Sequence, residues 1–364
     1  MPKRQLSLQP CGHSNTAKRG NHRDSRQQPR RRHVYLVVDD WERGYSVRKI
    51  DVVTFSPQAE AAAVAPEPEK LPEPAVARFE GHHGRLAFFG AHDSKILAMP
   101  AYGAADFPVY DVETSGITLC AHPNGRKICG PPLLASIAGK LYMIVESSLA
   151  VLDTQPPPNG DEYKAWAWTF LPAHLPSFQS PDVKSFAVHP DGRTLFVSAR
   201  RRTFSLDTRS LEWTCQGNWV MPFSGEAHFD RDLDAWVGLC IHERGFGHVC
   251  SCDAVPVVAA GVLQTMPAWK LGKDQLFHAD RERHLGATLL FMGDGSYCLL
   301  ECVSADDQDE DEYAAHRVYH VTTFDLRYDK DGELRATRRR AHSYEMTDAH
   351  EMNELYKRPT AFWM

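Results

Sequence analysis

A group of cysteines and histidines close together in the chain could bind a metal. Its members are Cys240, His242, His248, Cys250 and Cys252. Alternate residues of a strand share a face, so a hairpin turn over 243–247 would place Cys240 opposite Cys250. The same turn would place His242 opposite His248. Two Cys and two His form a zinc-compatible set, but this spacing is not that of a zinc finger. We therefore predict buried strand cysteines and no metal.

No segment has a pattern typical of a catalytic nucleophile. The chain has no Gly-x-Ser-x-Gly, no His-Glu-x-x-His and no glycine-rich phosphate loop before a helix. His82, His83 and His92 are expected in loops between strands. A single loop histidine without a base partner is more typical of a surface than of an active site. We predict no catalytic residue, no cofactor-binding residue and no cofactor.

Runs of like charge could bind partners of the opposite charge. Residues 306–312 hold six carboxylates in seven positions, without the spacing of a calcium loop. Like charges repel and extend such a segment, so we predict a solvated insertion, with binding of a basic partner as the alternative. The arginines at 200–202 and 338–340 have no interleaved aromatic residues, which favours solvated strand edges over nucleic-acid binding.

The first 33 residues carry nine Lys or Arg and a single acid, Asp24. They hold few apolar side chains, so residues 1–32 are predicted to form a disordered basic tail. Two alternatives stay open, a nuclear-import patch around Arg30, Arg31 and Arg32 and an organelle transit peptide. The net charge of the whole chain is −6, which argues against general nucleic-acid binding.

Composition bounds the class of protein. No stretch of about 18 apolar residues is present, so no membrane span is expected. The chain begins without an apolar segment of the kind that a secretory signal has. Nine cysteines in no framework spacing favour reduced thiols. We therefore expect a cytoplasmic or nuclear protein.

An apolar residue followed directly by Asp recurs at the ends of strand-like runs. The six are Asp51, Asp111, Asp153, Asp207, Asp253 and Asp325, with gaps of 60, 42, 54, 46 and 72 residues. A recurrence of about 40–50 residues with four short strands per unit is typical of a β-propeller. An Asp that ends a third strand can accept a hydrogen bond from the backbone two residues on, so we expect an Asx-turn into the fourth strand.

The clearest unit spans residues 185–215, where four strand-like runs are joined by turn residues such as His189-Pro190-Asp191-Gly192. Six such units account for most of residues 33–345, and only residues 348–357 could form a short helix. We predict an all-β fold, a six-bladed β-propeller over residues 33–364 that follows the tail at 1–32.

The units resemble kelch-type blades and are similar to the kelch-like or F-box-associated propellers of plants. The chain as a whole resembles a kelch-like family that is expanded in grasses. Kelch units typically open with paired glycines, of which Gly139 alone is kept here. The residues that carry the resemblance are Leu141-Tyr142-Met143, Val151-Leu152-Asp153-Thr154, Trp166, Leu206-Asp207-Thr208 and Trp213. The resemblance implies a six-bladed kelch-like β-propeller.

This fold favours a non-catalytic interaction scaffold that binds a protein partner through face loops at 57–75, 154–164 and 303–316. The alternative is an enzyme or a small-molecule binder that uses the central channel, which would require polar side chains to converge from the inner strands. The runs 34–38, 85–89 and 185–188, interpreted as inner strands, are mostly apolar and favour the scaffold. We expect a monomer with a protein partner, no membrane and no nucleic acid. A small-molecule ligand stays open.

A propeller must join its last blade to its first, because open sheet edges aggregate. The first unit offers two clear strands, 34–38 and 45–50, whereas the chain ends in the apolar segment Thr360-Ala361-Phe362-Trp363-Met364. We therefore predict that the two ends pair, with Phe362 and Trp363 buried where they meet.

Overall fold

We describe the protein from a computed structural model. The described residues are 32–40, 44–57, 67–80, 87–100, 106–121, 131–153, 167–258, 261–277, 281–305, 317–346 and 358–364. The chain divides into two units, Met1–Arg32 and His33–Met364, and the account that follows concerns the second. The predicted tail, the acidic run at 306–312 and the predicted helix at 348–357 lie outside the described residues, apart from Arg32.

Of the 25 described strands, 24 form six antiparallel sets of four, and each of these strands pairs with its neighbour in the set. The first set is β25 (Thr360–Trp363), β1 (Val34–Asp39), β2 (Tyr45–Ile50) and β4 (Ala77–Phe79). The second is β5 (Ala87–His92), β6 (Lys95–Pro100), β7 (Asp106–Asp111) and β8 (Gly116–Ala121). The third is β9 (Leu133–Ile137), β10 (Lys140–Val145), β11 (Ser148–Asp153) and β12 (Ala167–His174).

The other three sets follow the same order. The fourth is β13 (Val183–Val188), β14 (Thr194–Ala199), β15 (Arg202–Asp207) and β16 (Glu212–Gly217). The fifth is β17 (Gly225–Asp230), β18 (Ala235–Leu239), β19 (Val249–Asp253) and β20 (Trp269–Leu271). The sixth is β21 (His284–Gly293), β22 (Ser296–Ser304), β23 (Arg317–Tyr328) and β24 (Leu334–Met346). Among the described residues there are three 3-10 turns, at Val52–Thr54, Ser180–Asp182 and Glu243–Gly245, and no α-helix.

Turn chemistry explains where several strands end. Three aspartates accept a hydrogen bond at Oδ1 from the backbone N–H two residues on, as predicted, at 3.2, 2.9 and 2.8 Å for Asp51, Asp111 and Asp207. The prediction is wrong for Asp325, because β23 continues to Tyr328 and Asp325 instead accepts a bond from Ser296 Oγ at 2.6 Å. Asp253 makes no Asx bond to the described residues.

The ring closes by pairing the two ends of the second unit. β25 runs antiparallel to β1, with Val34 opposite Trp363. This pairing confirms the predicted closure. The burial differs in part, since Ala361 is buried whereas Phe362 and Trp363 are half-buried. The half-buried side chains reflect the place of β25 beside a central cavity.

A second contact joins the first set to the sixth, at the opposite edge of the sheets. The Pro-rich segment 57–75, predicted as a loop, contains the short strand β3 (Glu69–Lys70), which pairs in parallel with β24. Nearby, the ring of Phe55 stacks on His342 at 5.4 Å. Glu69 lies 3.3 Å from His342 Nε2.

Apolar side chains fill the space between neighbouring sets. Between the fourth and fifth sets, Ala187 and Phe196 pack against Trp236 and Cys250. The indole Nε1 of Trp236 donates to the carbonyl of Val188 at 2.9 Å, so this buried polar atom is satisfied. Many of these strands are buried on both faces, which explains why their sequences are nearly continuous runs of apolar residues.

These pairings give an all-β propeller, as the sequence predicts. One end strand of each set, namely β25, β5, β9, β13, β17 and β21, borders the same central cavity. The number of six blades stays a prediction.

Candidate functional site in the central channel

The central cavity has a volume of about 580 Å³ and is enclosed by strands from all six sets. This volume lies in the range of about 300–1,000 Å³ that is typical of small-molecule sites. Much of the wall is apolar, with Phe88, Leu134 and Phe186 among the lining residues. The polar side chains that line it are His92, Asp93, Ser136, Glu226, His228, Thr288, Arg358 and Thr360.

The expectation of few polar side chains along the inner strands is wrong. The predicted run 85–89 covers only part of the strand that lines the channel, which is Ala87–His92 and ends in a histidine. The run 34–38 was wrongly assigned as an inner strand, because it lies in β1 and the strand of its set that borders the channel is β25. Ser136 and Arg358 belong to segments that the sequence did not mark as inner strands. Polar residues at strand ends interrupt the apolar pattern and therefore give no periodic signal.

His92, expected on the surface, is 3% exposed and has a partner. Its Nδ1 lies 3.1 Å from Ser136 Oγ, on the neighbouring set. Its Nε2 lies 3.6 Å from Asp93 Oδ2 and has no hydrogen-bond partner among the described residues. The side chain of Ser136 faces solvent within the channel. The geometry thus supplies the base partner that the sequence could not reveal.

Arg358 is fixed in the channel wall just before β25. Its Nε donates to the carbonyl of Ala287 at 2.8 Å and its Nη2 donates to that of Ser224 at 2.9 Å. The guanidinium lies against Gly225, where a Cβ would overlap it. Burial lowers the pKa of Arg358, and the carboxylate of Glu226 opposes that shift. An arginine remains protonated in proteins, so a fixed positive charge faces the channel.

His228 and Glu226 stand side by side on β17. The Nε2 of His228 donates to the carbonyl of Leu289 at 3.3 Å, and its Nδ1 lies 3.8 Å from Glu226 Oε1. The imidazole ring stacks on Phe291 at 6.1 Å. The carboxylate and imidazole groups of β17 and the guanidinium group that precedes β25 therefore line the same channel, an arrangement able to bind a polar ligand.

The predicted metal candidate does not assemble as expected. Cys250 lies opposite Gly238, not Cys240, because the turn includes the 3-10 segment Glu243–Gly245 and extends to His248. The ring of His242 stacks on Trp269 at 4.9 Å, and His248 Nδ1 donates to the carbonyl of Gly272 at 2.9 Å. Among the described residues, no group of three His, Cys, Asp or Glu is arranged to hold a metal.

The two thiols of this region nevertheless interact. A hydrogen bond from Cys250 lowers the pKa of the Cys240 thiol to about 7, against an opposing effect of burial. Burial raises the pKa of Cys250 well above its usual range. Cys240 is half-buried and Cys250 fully buried, so the acidic thiol is the accessible one.

The basic runs are partly paired. Arg200 forms an ion pair with Asp182 at 3.0 Å, and Arg338 forms one with Asp325. Arg339 and Arg340 each donate to a backbone carbonyl, of Gln275 and Val53 respectively. The second run therefore anchors β24 to its neighbours.

An apolar loop is displayed between β19 and β20. We call residues 254–258 and 261–268 the apolar loop; its exposed side chains are Val257, Val262, Leu263 and Met266, at 44%, 52%, 57% and 38%. Hydrogen bonds hold it in place. Gln264 N–H donates to the carbonyl of Gln216 at 2.7 Å, and its side chain donates to Gln216 Oε1 at 3.1 Å. Trp219 Nε1 donates to the carbonyl of Gln264 at 3.1 Å.

A comparison of the sequence with protein-family models decides its family. The model described as "Protein of unknown function (DUF1668)" matches residues 31–344. The chain belongs to the DUF1668 family. The matched residues run from β1 into β24 and leave out β25, and the DUF1668 description assigns no activity. A search of the curated proteins gave no match to the sequence.

Solved structures that match this DUF1668 chain share little of its sequence. A putative 6-phosphogluconolactonase from Bacteroides fragilis is 15% identical with a TM-score of 0.42, covering 85% of this chain and 82% of that one. The Cps50 (Swd1) β-propeller domain from Myceliophteria thermophila is 9% identical with a TM-score of 0.39, covering 82% and 81%. The WD40 domain of SCAP from fission yeast is 9% identical with a TM-score of 0.29, covering 77% and 71%.

In the part of the DUF1668 chain that the structure describes, no helix has both the length and the apolar character to cross a membrane.

Proposed function

We propose that this propeller is an interaction scaffold that binds a protein partner, and that the apolar loop is part of the binding surface. The predicted face loops at 57–75, 154–164 and 303–316 lie wholly or partly outside the described residues. Among the described loops, the apolar loop presents the most large apolar side chains to solvent, and this observation carries the proposal.

The hydrogen bonds to Gln216 make the apolar loop suitable for binding. Gln216 is fully buried and its Oε1 also accepts from the backbone of Val258 at 3.4 Å. A loop that is already fixed loses little conformational entropy when a partner binds. Exposed apolar side chains held in this way gain free energy when a complementary apolar surface covers them.

Quantitative cross-linking tests the scaffold proposal. The full chain, Val262→Asp/Leu263→Asp and Val53→Asp would each be incubated with extract of the source tissue, cross-linked and analysed by mass spectrometry. Val53 is 58% exposed and lies elsewhere, so Val53→Asp is the matched control. We expect a partner whose recovery falls about tenfold or more with the double variant only. Equal recovery from all three chains would contradict the assigned surface.

A second candidate function is the binding of a small polar molecule in the channel. The observation that favours it is the polar group formed by Glu226, His228 and Arg358 within a cavity of about 580 Å³. Small-molecule sites combine an apolar wall with a few convergent polar groups, and this channel has both.

Ligand-observed NMR with a library of small polar fragments tests the channel proposal. We expect bound fragments whose signal is weakened by Glu226→Gln and unchanged by Glu212→Gln. Glu212 is exposed on β16, away from the channel lining, so it controls for the loss of one charge. Fragments that bind all three chains equally would place the binding outside the channel.

A further inference from the structure

We propose that Ser136, His92 and Asp93 form a hydrolytic site for small carboxylic esters within the channel. The inference rests on the proposed binding of a small molecule there. The three residues lie on a part of the channel wall that does not include Arg358 or Glu226.

The hydrogen-bond geometry assigns a role to each of the three groups. His92 Nδ1 lies 3.1 Å from Ser136 Oγ, within reach for a base that removes the hydroxyl proton. The other ring nitrogen faces the Asp93 carboxylate at 3.6 Å. At this distance Asp93 would act on the ring through its charge and not through a hydrogen bond, and Nδ1 would be the nitrogen that accepts the hydroxyl proton. A nucleophile, a base and an orienting carboxylate are the parts of a hydrolytic triad.

The base is buried, whereas the nucleophile is exposed to the channel, as this chemistry requires. His92 is 3% exposed, so water does not compete for its ring nitrogens. Its Nε2 is buried without a hydrogen-bond partner among the described residues, whereas the buried polar atoms of a structural side chain usually have one. Ser136, in contrast, presents its hydroxyl to the channel.

A second Ser–His pair in the same fold shows what a structural pair looks like. His320 Nδ1 lies 2.8 Å from Ser343 Oγ, a distance as short as that at Ser136. Ser343 is 3% exposed, so no substrate can reach its hydroxyl. Access to the hydroxyl, and not the hydrogen bond itself, sets Ser136 apart.

The reaction is balanced with the groups present and water. Ser136 Oγ attacks the ester carbonyl carbon while its proton passes to His92 Nδ1. The carbon–oxygen bond to the alcohol breaks, and the alcohol leaves with the proton from His92. Water then attacks the acyl group on Ser136, giving up a proton to His92, which returns it to Ser136 as the acid departs. Leu134 precedes Ser136 by two residues and also lines the channel, so it can contact an apolar acyl group.

Labelling with a small alkyl fluorophosphonate tests the inference. We expect one adduct on Ser136 in the full chain, located by peptide mass spectrometry, and none there in Ser136→Ala. His92→Gln should slow labelling by about 100-fold or more, and Asp93→Asn should slow it by less. Ser343→Ala is the matched control and should label like the parent. Melting temperatures identify any variant that fails to fold.

A thiol placed at the same position separates the two proposals. Ser136→Cys would be treated with methyl methanethiosulfonate, which modifies any accessible thiol. If that thiol is modified but Ser136 in the parent chain is not labelled by the fluorophosphonate, the hydrolytic site is overturned and channel binding stands. If the thiol is not modified either, the channel does not admit small molecules and both proposals fail.

Discussion

The seam between β1 and β25 completes a single set, whereas the junction between β13 and β17 joins two neighbouring sets. At the junction, the paired strands belong to consecutive sets and run parallel, with Phe186 opposite Glu226. At the seam, the strands come from opposite ends of the second unit and run antiparallel within one set. The residues just outside that pairing, His33 and Met364, exchange backbone hydrogen bonds of 2.8 and 3.1 Å. The junction therefore depends on contacts between complete sets, whereas the first set is itself incomplete without the chain end.

Removing β25 is the change expected to have the largest effect. Truncation after Pro359 leaves β1 with an unpaired edge and removes the buried Ala361 and the half-buried Trp363, whose Nε1 donates to Met292. We expect a loss of several kcal/mol of unfolding free energy, together with aggregation at the open edge. Thermal melting and sedimentation would measure both effects. A full chain extended by a few Gly and Ser residues is the control, and a truncated chain that melts like this control would show that the seam does not need β25.

Truncating the aromatic residue at the junction should have the next largest effect. Trp236 is fully buried and packs on Phe196 at 5.1 Å, so Trp236→Ala should cost about 3–5 kcal/mol. Trp213, on the fourth strand of the clearest unit, is only half-buried, and its ring lies 5.6 Å from that of Phe178. Trp213→Ala should therefore cost less than Trp236→Ala. Urea unfolding of the two variants would measure the loss of unfolding free energy, and a larger loss for Trp213→Ala than for Trp236→Ala would contradict this order.

Much of the fold could be predicted because hairpins are local. The run 45–50 is a strand at those bounds, and the turns at Asp111 and Asp207 follow from side-chain chemistry within three residues. The seam could be predicted too, since an apolar chain end required a partner.

The candidate site could not be predicted, because its residues meet across set boundaries. His92 and Ser136 lie on different sets, and neither has a local pattern that indicates the other. The Cys240 register was wrong for a related reason. The strand pattern repeats every two residues, so it does not determine how many residues the turn before Val249 contains.

The reactivity of Cys240, near the junction, should depend on Cys250. Because Cys250 holds the pKa of Cys240 at about 7, alkylation of Cys240 by iodoacetamide should rise through pH 6–8 as the thiolate forms. Cys250→Ala removes the hydrogen bond and should move this rise to higher pH, whereas Cys250→Ser keeps a donor and should move it less. Peptide mass spectrometry would report the rate at Cys240. A rate that has the same pH dependence in all three chains would contradict the interaction.

Deleting the basic tail should have the smallest effect on the fold. Residues 1–32 contain few apolar side chains, so their removal should leave the melting temperature within a degree or two of that of the full chain. A fluorescent fusion would test the predicted cytoplasmic or nuclear location in the same experiment. Arg30→Ala/Arg31→Ala/Arg32→Ala should lower nuclear signal if this patch directs import. A large drop in melting temperature would show that the tail contacts the ring.

The pairing of β3 with β24 has a mechanical consequence. The first and sixth sets are held together at two places, near the channel where Trp363 Nε1 of β25 donates to the carbonyl of Met292, and at the opposite edge by β3 together with Phe55 on His342. A pulling force applied between His33 and Met364 would separate β25 from β1 one hydrogen bond at a time, because the load falls on the end pair of these two strands. The pairing of β3 with β24 would still hold the first set to the sixth, so a force–extension trace should show a closed intermediate before the sheets separate.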